Sequence, residues 1–358
     1  MVERALESVV WSREDTPAVL QEALRVLKED YPIVEIPAAD VGPVPGLAVR
    51  FEIVEETSVC RVTRQGHEVH VRAPNAALAL RAVGALLAGL VPDGADWVEQ
   101  AAFKTFGIML DCSRNAVMTV AHFKTWLRRL ALLGYNMAML YTEDTYTLPD
   151  EPYFGYLRGA YTADELREID AYAARLGIEM IPCIQTLGHM EQILKWPAYR
   201  HVRDTDSVLL VDEPATYALI DKMLARWSDV FRSRRVHIGM DETHDLGRGR
   251  FMDRFGYERA FDIFNRHLAN VVARCKAHGL EPMIWSDMYF RLGSATGDYY
   301  DRACEIPQDV VDAIPPEVEL VYWDYYHADK DFYLEWIARH RALGDPDTSA
   351  AAEPVMAS

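Results

Sequence analysis

The chain has 358 residues, of which 50% are hydrophobic and 26% charged, and its formal net charge is −18. This balance is typical of a soluble globular protein that is long enough for a well-buried core. The negative charge argues against nucleic acid or an anionic membrane as the main partner, because both attract Lys and Arg.

The N-terminal segment and the cysteines predict a cytoplasmic protein. Residues 1–15 carry charges throughout and lack the basic start and apolar core of a signal peptide. No stretch approaches the ~18 apolar residues of a membrane span. The five cysteines are scattered and form no CxxC pair, which favours neither a disulfide framework nor a zinc site. We therefore expect a reducing environment. The chain has no GxGxxG after a strand and no phosphate loop, so no cofactor is expected.

Residues 1–100 are predicted to form a small α+β domain. The runs LAVRFEIV and HEVHVRA have the alternating or β-branched pattern of strands, and the polar segment EETSVCRVTRQG separates them. The following stretch, NAALALRAVGALLAGL, has the pattern of an apolar helix that Gly and Pro close near residue 94. Two strands and one packing helix are expected here.

Residues 103–345 show a regular alternation of short apolar runs and amphipathic helices. The six predicted strands are FGIMLD (106–111), NMAMLYT (136–142), IEMIPCI (178–184), RVHIGMD (235–241), EPMIWSD (281–287) and ELVYWDYY (319–326). Strand–helix alternation indicates a parallel sheet with right-handed crossovers. The continuous apolar character of the strands indicates burial on both faces.

Polar residues follow each predicted strand. They are Asp111 to Asn115, Glu143 and Asp144, Gln185 to Glu191, Asp241 to His244, Asp287, and Asp324 to His327. In a (β/α)8 barrel these strand ends meet at one mouth. A doubly wound sheet favours a Gly-rich first turn instead, and the first turn here, DCSRNAV, has no glycine. We therefore predict an α/β fold of the (β/α)8 TIM-barrel type after the small α+β domain.

The barrel is predicted to lack its last two strand–helix units. Two further units would need at least ~50 residues, whereas one helix, DFYLEWIARHRALG, and a small polar tail follow the sixth strand. Phe332, Trp336 and Ile337 are expected on the buried face of that helix. Residues 346–358 are expected to be disordered. Because strand one would lack its closing neighbour, we expect self-association through the open edge and weak or no activity.

The segment VHIGMDETHDLGRGR (236–250) places two carboxylates, Asp241 and Glu242, side by side after the fourth strand. The pattern H-x-G-x-D-E in HIGMDE, with LDCSRN after the first strand and TLGHME after the third, resembles the glycoside hydrolase family 20 β-N-acetylhexosaminidases. Trp285 and Trp323, at the ends of strands five and six, add to the resemblance. It spans roughly residues 40–330 and includes the small domain that precedes the barrel.

The resemblance implies an exo-acting hydrolase that removes terminal N-acetylglucosamine or N-acetylgalactosamine from oligosaccharides or glycoconjugates. The substrate's own 2-acetamido oxygen is the nucleophile in this family. By resemblance Glu242 is the general acid/base and Asp241 orients the acetamido group. Since neighbours within a strand point to opposite faces, the pair is expected where the strand gives way to a loop.

The resemblance also implies substrate-binding residues. Arg114 can form two hydrogen bonds to vicinal sugar hydroxyls. His189, with Glu143 or Asp144, resembles the family's His–carboxylate pair that supports the acid/base. The predicted aromatic walls of the sugar pocket are Trp285 and Trp323.

Each of these residues also has a structural interpretation. The Asp241–Glu242 pair can cap a strand end, Arg114 can simply neutralise Asp111, and His189 can be a packing histidine. Either tryptophan can belong to the core. The histidines interpreted as structural are His237, His244 and His327. The roles of Tyr325 and Tyr326 stay open, because the family's catalytic tyrosine belongs to a seventh strand.

Two other classes of function compete with the hexosaminidase. One is a metal-dependent barrel hydrolase with His237, Asp241, Glu242 and His244 as ligands. The first strand ends in LDCSRN without a histidine, which argues against it. The other is a truncated, inactive or sugar-binding remnant of a family 20 enzyme.

Overall fold

The computed structural model describes residues 7–37, 46–114 and 116–344. The chain divides into two compact units. As far as they are described, one comprises Met1–Ile108, Thr119–Ala138 and Glu168–Met180, and the other comprises Met109–Met118, Met139–Arg167 and Ile181–Ser358. The boundary expected at 100–103 stays a prediction. The expected tail, 346–358, lies outside the described residues.

The first hundred residues form a six-stranded mixed sheet with two helices. The elements are β1 (Val9–Ser12), α1 (Ala18–Leu27), β2 (Ile33–Ile36), β3 (Leu47–Ile53), β4 (Val59–Gln65), β5 (Glu68–Ala73), α2 (Ala76–Leu87) and β6 (Asp96–Gln100). The strand order is β2-β1-β3-β5-β4-β6. Strand β4 runs antiparallel to both β5 and β6, and the other pairs are parallel.

The prediction of two strands and one helix in this region was too low. The segment EETSVCRVTRQG contains β4, in which Cys60 and Val62 are buried while Arg61 and Thr63 are exposed. One side of this strand faces the core and the other faces solvent, so its overall composition is polar. The predicted helix α2 is present, and the Asn75 side chain caps it by accepting from the Leu78 N–H at 3.0 Å.

A second six-stranded sheet begins after residue 106. Its elements are β7 (Gly107–Asp111), α3 (Val120–Leu132), β8 (Met137–Tyr141), α4 (Ala163–Arg175), β9 (Glu179–Cys183), α5 (Glu191–Leu194), α6 (Pro214–Val230), β10 (Arg235–His237), α7 (Arg250–Phe255), α8 (Ala260–Ala277), β11 (Glu281–Trp285), α9 (Asp287–Gly293), α10 (Gln308–Asp312), β12 (Glu319–Val321) and α11 (Lys330–Leu343). A 3-10 turn covers Pro197–Tyr199.

The strands of this sheet lie in chain order from β7 to β12, which are its two edges among the described residues. Strand β10 is parallel to β9 and β11, and β11 is parallel to β12. Because helices alternate with these strands, the fold is α/β and of the TIM-barrel type, as predicted. Strands β8 and β9 are almost entirely buried, in keeping with their continuous apolar sequences.

Two strands end earlier than their apolar sequences predict. Strand β10 ends at His237, because Gly239 and Met240 have φ values of 73° and 74°. Strand β12 ends at Val321, and the chain turns where the Asp324 carboxylate accepts from the N–H groups of Tyr326 and His327. Both early endings place the polar residues that follow in loops.

Helix α11 is present where predicted, but its buried face differs slightly. Trp336 is fully buried and Phe332 is buried, whereas Ile337 is only partly buried and Leu343 completes the face. Trp336 packs edge-on against Phe290 with ring centroids 5.1 Å apart. Among the described residues, no helix has the length and apolar character that a membrane crossing requires.

Candidate active site

The loop after β10 gives Asp241 and Glu242 an unusual backbone. Gly239, Met240 and Glu242 all have positive φ, of 73°, 74° and 49°. Non-glycine residues in this conformation need support from their surroundings and are concentrated at functional sites. The pair therefore lies in a loop four residues beyond the end of the strand, as the adjacency of two carboxylates predicts.

Gln185, which follows β9, holds this loop in place. Its Nε2 donates to Asp241 Oδ1 at 2.8 Å and to the Tyr141 hydroxyl at 3.0 Å, and its Oε1 accepts from the Met240 N–H at 3.3 Å. A Cβ at Gly239 would lie 2.1 Å from Gln185 Oε1. Only glycine can therefore occupy position 239 while Gln185 keeps these contacts.

His189 connects the two carboxylates. Its Nε2 lies 3.1 Å from Asp241 Oδ2 and 3.4 Å from Glu242 Oε2. Burial opposes protonation of the ring, but the hydrogen bond and charge of Asp241 outweigh it and raise the pKa of His189 to about 9. His189 is therefore an imidazolium at neutral pH, which compensates the adjacent negative charges.

The two carboxylates differ in environment. Asp241 has a side chain that is 14% exposed, whereas that of Glu242 is 38% exposed. Burial favours the neutral acid, yet the contacts with His189 and Gln185 lower the pKa of Asp241 below its ordinary value. Asp241 is thus a fixed, ionised acceptor, and Glu242 is the carboxyl that reaches towards solvent.

Arg114 lies at the same mouth, in the loop after β7. Its guanidinium is 3.3 Å from Glu143 Oε1 and 3.4 Å from Asp111 Oδ2, and it lies over the Tyr141 ring. The Arg114 side chain is 57% exposed, so it keeps free faces for a ligand while remaining oriented. Burial raises the pKa of Glu143, and the charges of Arg114 and then His189 oppose that rise.

Asp144 does not pair with Arg114 at the mouth as Glu143 does. Its carboxylate is buried and pairs with Arg158, with Nε and Oδ1 3.1 Å apart. Arg158 also donates to the main-chain oxygen of Ser113. Of the two candidates for the partner of His189, Glu143 is therefore the one at the mouth, and Asp144 holds the loop that carries Arg158.

The two predicted aromatic walls have different surroundings. Trp285 is 4% exposed and its ring lies 4.3 Å from the His237 ring. Trp323 is 8% exposed and contacts the rings of Tyr299 and Tyr325, each with centroids 5.4 Å away. Trp323 is thus the centre of an aromatic group, whereas Trp285 is packed more deeply.

Asp287 and Gln185 were missed as site residues, although Gln185 directly follows a predicted strand and Asp287 ends one. Asp287 begins α9 after β11, and its Oδ2 accepts from the Glu242 N–H at 3.2 Å. Burial and then the charge of Asp241 raise the pKa of Asp287 to about 8. The signal available in the sequence was their position at strand ends, which is where barrel sites are built.

The histidines interpreted as structural make contacts of that kind. His237 is fully buried, accepts from the Gly239 N–H at 3.1 Å, and has its pKa lowered to about 3 by burial. His244 contacts the Tyr299 hydroxyl, and His327 bonds to Asp324 at 2.8 Å. Within the described ranges, no three His, Cys, Asp or Glu side chains are grouped as metal ligands, so the predicted ligand set of the metal hydrolase does not assemble.

Comparison with known proteins agrees with this geometry. Residues 136–300 match the model of the glycosyl hydrolase family 20 catalytic domain. The chain is 30% identical over 238 residues to hexosaminidase D of Homo sapiens. The aligned region covers 62% of this chain and 45% of the human protein. The chain therefore spans less than half the length of that relative.

Solved structures share the fold. The exo-β-N-acetylglucosaminidase of Vibrio harveyi, solved with N-acetylglucosamine, has a TM-score of 0.68 at 16% identity, over 93% of this chain and 56% of that one. The β-N-acetylhexosaminidase of Streptomyces coelicolor has a TM-score of 0.66 at 18% identity, over 98% of this chain and 70% of that one. Both are proteins of the same family as the sequence match. Residues 136–300 therefore match the family 20 catalytic domain in sequence, and the chain shares the fold of solved family 20 enzymes.

Proposed function

We propose that the chain is a β-N-acetylhexosaminidase that hydrolyses terminal N-acetylglucosamine or N-acetylgalactosamine residues with retention of configuration. The observation that carries this proposal is the position of His189 Nε2 within 3.4 Å of both Asp241 and Glu242. The match of residues 136–300 to the family 20 catalytic domain supports it. N-acetylhexosamine-containing oligosaccharides or glycoconjugates are the proposed substrates.

In the proposed first step, the acetamido oxygen attacks the anomeric carbon while Glu242 gives its proton to the glycosidic oxygen. The bond to the leaving group breaks and an oxazolinium-type intermediate forms. In the second step, Glu242 takes a proton from water, which attacks the same carbon and restores the acetamido group. Family 20 enzymes are substrate-assisted exceptions to the usual pair of carboxylates that flank the bond.

The environments of the two carboxylates suit these roles. An ionised Asp241 can accept a hydrogen bond from the acetamido N–H and stabilise the positive charge that develops on this group. Glu242 is the more exposed of the two and can reach a leaving group that extends into solvent. Arg114 is proposed to bind sugar hydroxyls, and Trp323 to contact the apolar side of the sugar.

The decisive experiment replaces Glu242 by Gln. Turnover of an aryl N-acetylglucosaminide should fall ~10²–10⁴-fold, with KM little changed, because a general acid/base is lost while the shape is kept. Glu258→Gln is a matched control, since Glu258 pairs with Arg266 outside the mouth. Retention of more than half the activity in Glu242→Gln contradicts the proposal. Binding of N-acetylglucosamine by the wild type without turnover supports the sugar-binding alternative instead.

Two expectations from the sequence stay predictions. Self-association through the sheet edges at β7 or β12 is tested by the mass of the protein in solution, because an exposed edge strand can pair with another chain. A cytoplasmic location is tested by fractionation of the source cells.

A further inference from the structure

Asp287 makes a direct contact with the backbone of Glu242. The residue is 6% exposed and lies at the start of α9. Its Oδ2 accepts from the Glu242 N–H at 3.2 Å, and the Glu242 carbonyl accepts from the His244 N–H at 2.8 Å. Both main-chain polar groups of Glu242 are therefore held.

This contact matters because Glu242 has a left-handed backbone. Its φ is +49°, a conformation that a residue with a long side chain rarely adopts without support. The acceptor at Asp287 satisfies the N–H in that conformation and so fixes the direction in which the Glu242 side chain leaves the loop. Without that acceptor, the Glu242 N–H loses the contact that supports this backbone conformation.

The second oxygen of Asp287 lies beside a small cavity. Asp287 Oδ1 and Trp323 Nε1 are both buried without a hydrogen-bond partner among the described residues. Both residues line a cavity with about 10 Å³ of room for the centre of a water molecule.

Asp287 accepts the hydrogen bond from the Glu242 N–H without adding a full negative charge to the site. Burial, followed by the charge of Asp241, raises the pKa of Asp287, so the carboxyl is mostly neutral at pH 7. A neutral acid still accepts from the Glu242 N–H through its carbonyl oxygen. If Asp287 were ionised, its charge would repel the carboxylates of both Asp241 and Glu242.

We propose that Asp287 is a positioning residue that holds the acid/base Glu242 through its main-chain N–H. This inference rests on the proposed function, because it concerns the orientation of the Glu242 carboxyl group towards the leaving-group oxygen. Asp287 itself does not touch the substrate.

The test compares Asp287→Asn with Asp287→Leu on aryl N-acetylglucosaminides whose leaving groups differ in basicity. The Asn amide keeps the acceptor and resembles the neutral acid, so it should stay within about threefold of wild type. Leu has no acceptor, and a misplaced catalytic group loses up to ~10²-fold in rate. We expect that loss for the phenyl glycoside, which needs protonation, and a loss at least about tenfold smaller for the 2,4-dinitrophenyl glycoside, which leaves as a weak base.

Asp204→Leu is the matched control. Asp204 is also buried and accepts main-chain N–H groups, from Phe251 at 2.7 Å and Gly247 at 3.2 Å, but outside the mouth. Any change in this variant should be equal for all leaving groups. An equal loss for both glycosides in Asp287→Leu, or an equally large loss in Asp287→Asn, overturns the positioning role while leaving the proposed function intact.

Amide hydrogen exchange gives a readout that does not depend on turnover. The Glu242 N–H should exchange slowly in the wild type and in Asp287→Asn, and faster in Asp287→Leu. If the wild type hydrolyses no aryl N-acetylhexosaminide but shows this pattern, the proposed function fails and the contact stands. Unchanged exchange in Asp287→Leu overturns the inference directly.

Discussion

Nε2 of His189 lies 3.1 Å from Oδ2 of Asp241, and this contact sets the charge of both groups. The imidazolium lowers the pKa of Asp241 against the effect of burial, and Asp241 raises the pKa of His189. His189 adopts a φ of +54° to make the contact. The loop that carries it approaches closely, since a Cβ at the preceding Gly188 would lie 2.6 Å from the Asp241 carbonyl oxygen.

Replacing His189 by Gln should move the acid limb of the pH–rate profile to higher pH. Because His189 lowers the pKa of Asp241, its removal leaves the effect of burial less opposed and the pKa of Asp241 rises. Turnover should fall roughly 10–10²-fold at neutral pH, since less Asp241 is ionised and Glu242 loses a contact. The measurement is kcat/KM from pH 4 to 9, and an unmoved acid limb contradicts the assignment.

His189 should also make stability depend on pH. Its pKa is about 9 in the folded chain and 6.5 as the ordinary value, so its contribution is fully present below 6.5 and lost as pH rises through 9. We expect the free energy of unfolding to fall by about 1–3 kcal/mol more in the wild type than in His189→Gln over this range. Urea unfolding at pH 6 and pH 9.5 measures the difference. An equal change in the free energy of unfolding in the wild type and in His189→Gln would falsify the coupling.

Asp241→Asn should reduce turnover and keep the fold. The amide keeps one oxygen, which can accept from Gln185 or from His189 but not from both, and it loses the charge that is proposed to fix the acetamido group. Loss of such a charged contact typically lowers the rate ~10²–10³-fold. The companion measurement compares N-acetylglucosaminides with glucosides. Equal turnover of both by the wild type would exclude participation of the acetamido group.

Arg114→Lys should raise KM about tenfold and change kcat little. Lysine keeps the charge beside Glu143 and Asp111 but cannot form two parallel hydrogen bonds to neighbouring hydroxyls. The control is Arg259→Lys, because Arg259 pairs with Asp262 and Asp309 away from the mouth. Equal changes in both variants would assign Arg114 a purely structural role.

The second sheet was predictable because buried parallel strands have continuous apolar sequences, and all six occur where those runs lie. The polar residues after them identified the mouth. Strand β4 was not predicted, since its alternation is hidden in a polar segment. The ends of β10 and β12 were set too late, because a positive φ at Met240 and the turn at Asp324 leave no mark in hydropathy.

Within the site, some residue roles could not be predicted from the sequence for a different reason. Glu143 and Asp144 are adjacent, and the sequence does not indicate which side chain faces the mouth and which pairs with Arg158. Asp287 resembles an ordinary acidic residue at a helix start, and its contact with the Glu242 N–H depends on the left-handed loop. Contacts of this kind come from tertiary structure and not from a local pattern.

The acidity of the mouth bears on which sugars can approach it. Four carboxyl groups, those of Asp111, Glu143, Asp241 and Glu242, surround two cations, Arg114 and His189, in a chain of net charge −18. Sulfated or sialylated glycans therefore meet repulsion before contact, whereas neutral ones do not. Dissolved salt weakens this discrimination beyond ~8 Å at physiological ionic strength. The side chains that are proposed to orient a bound sugar are therefore also expected to sort glycans by charge during diffusion.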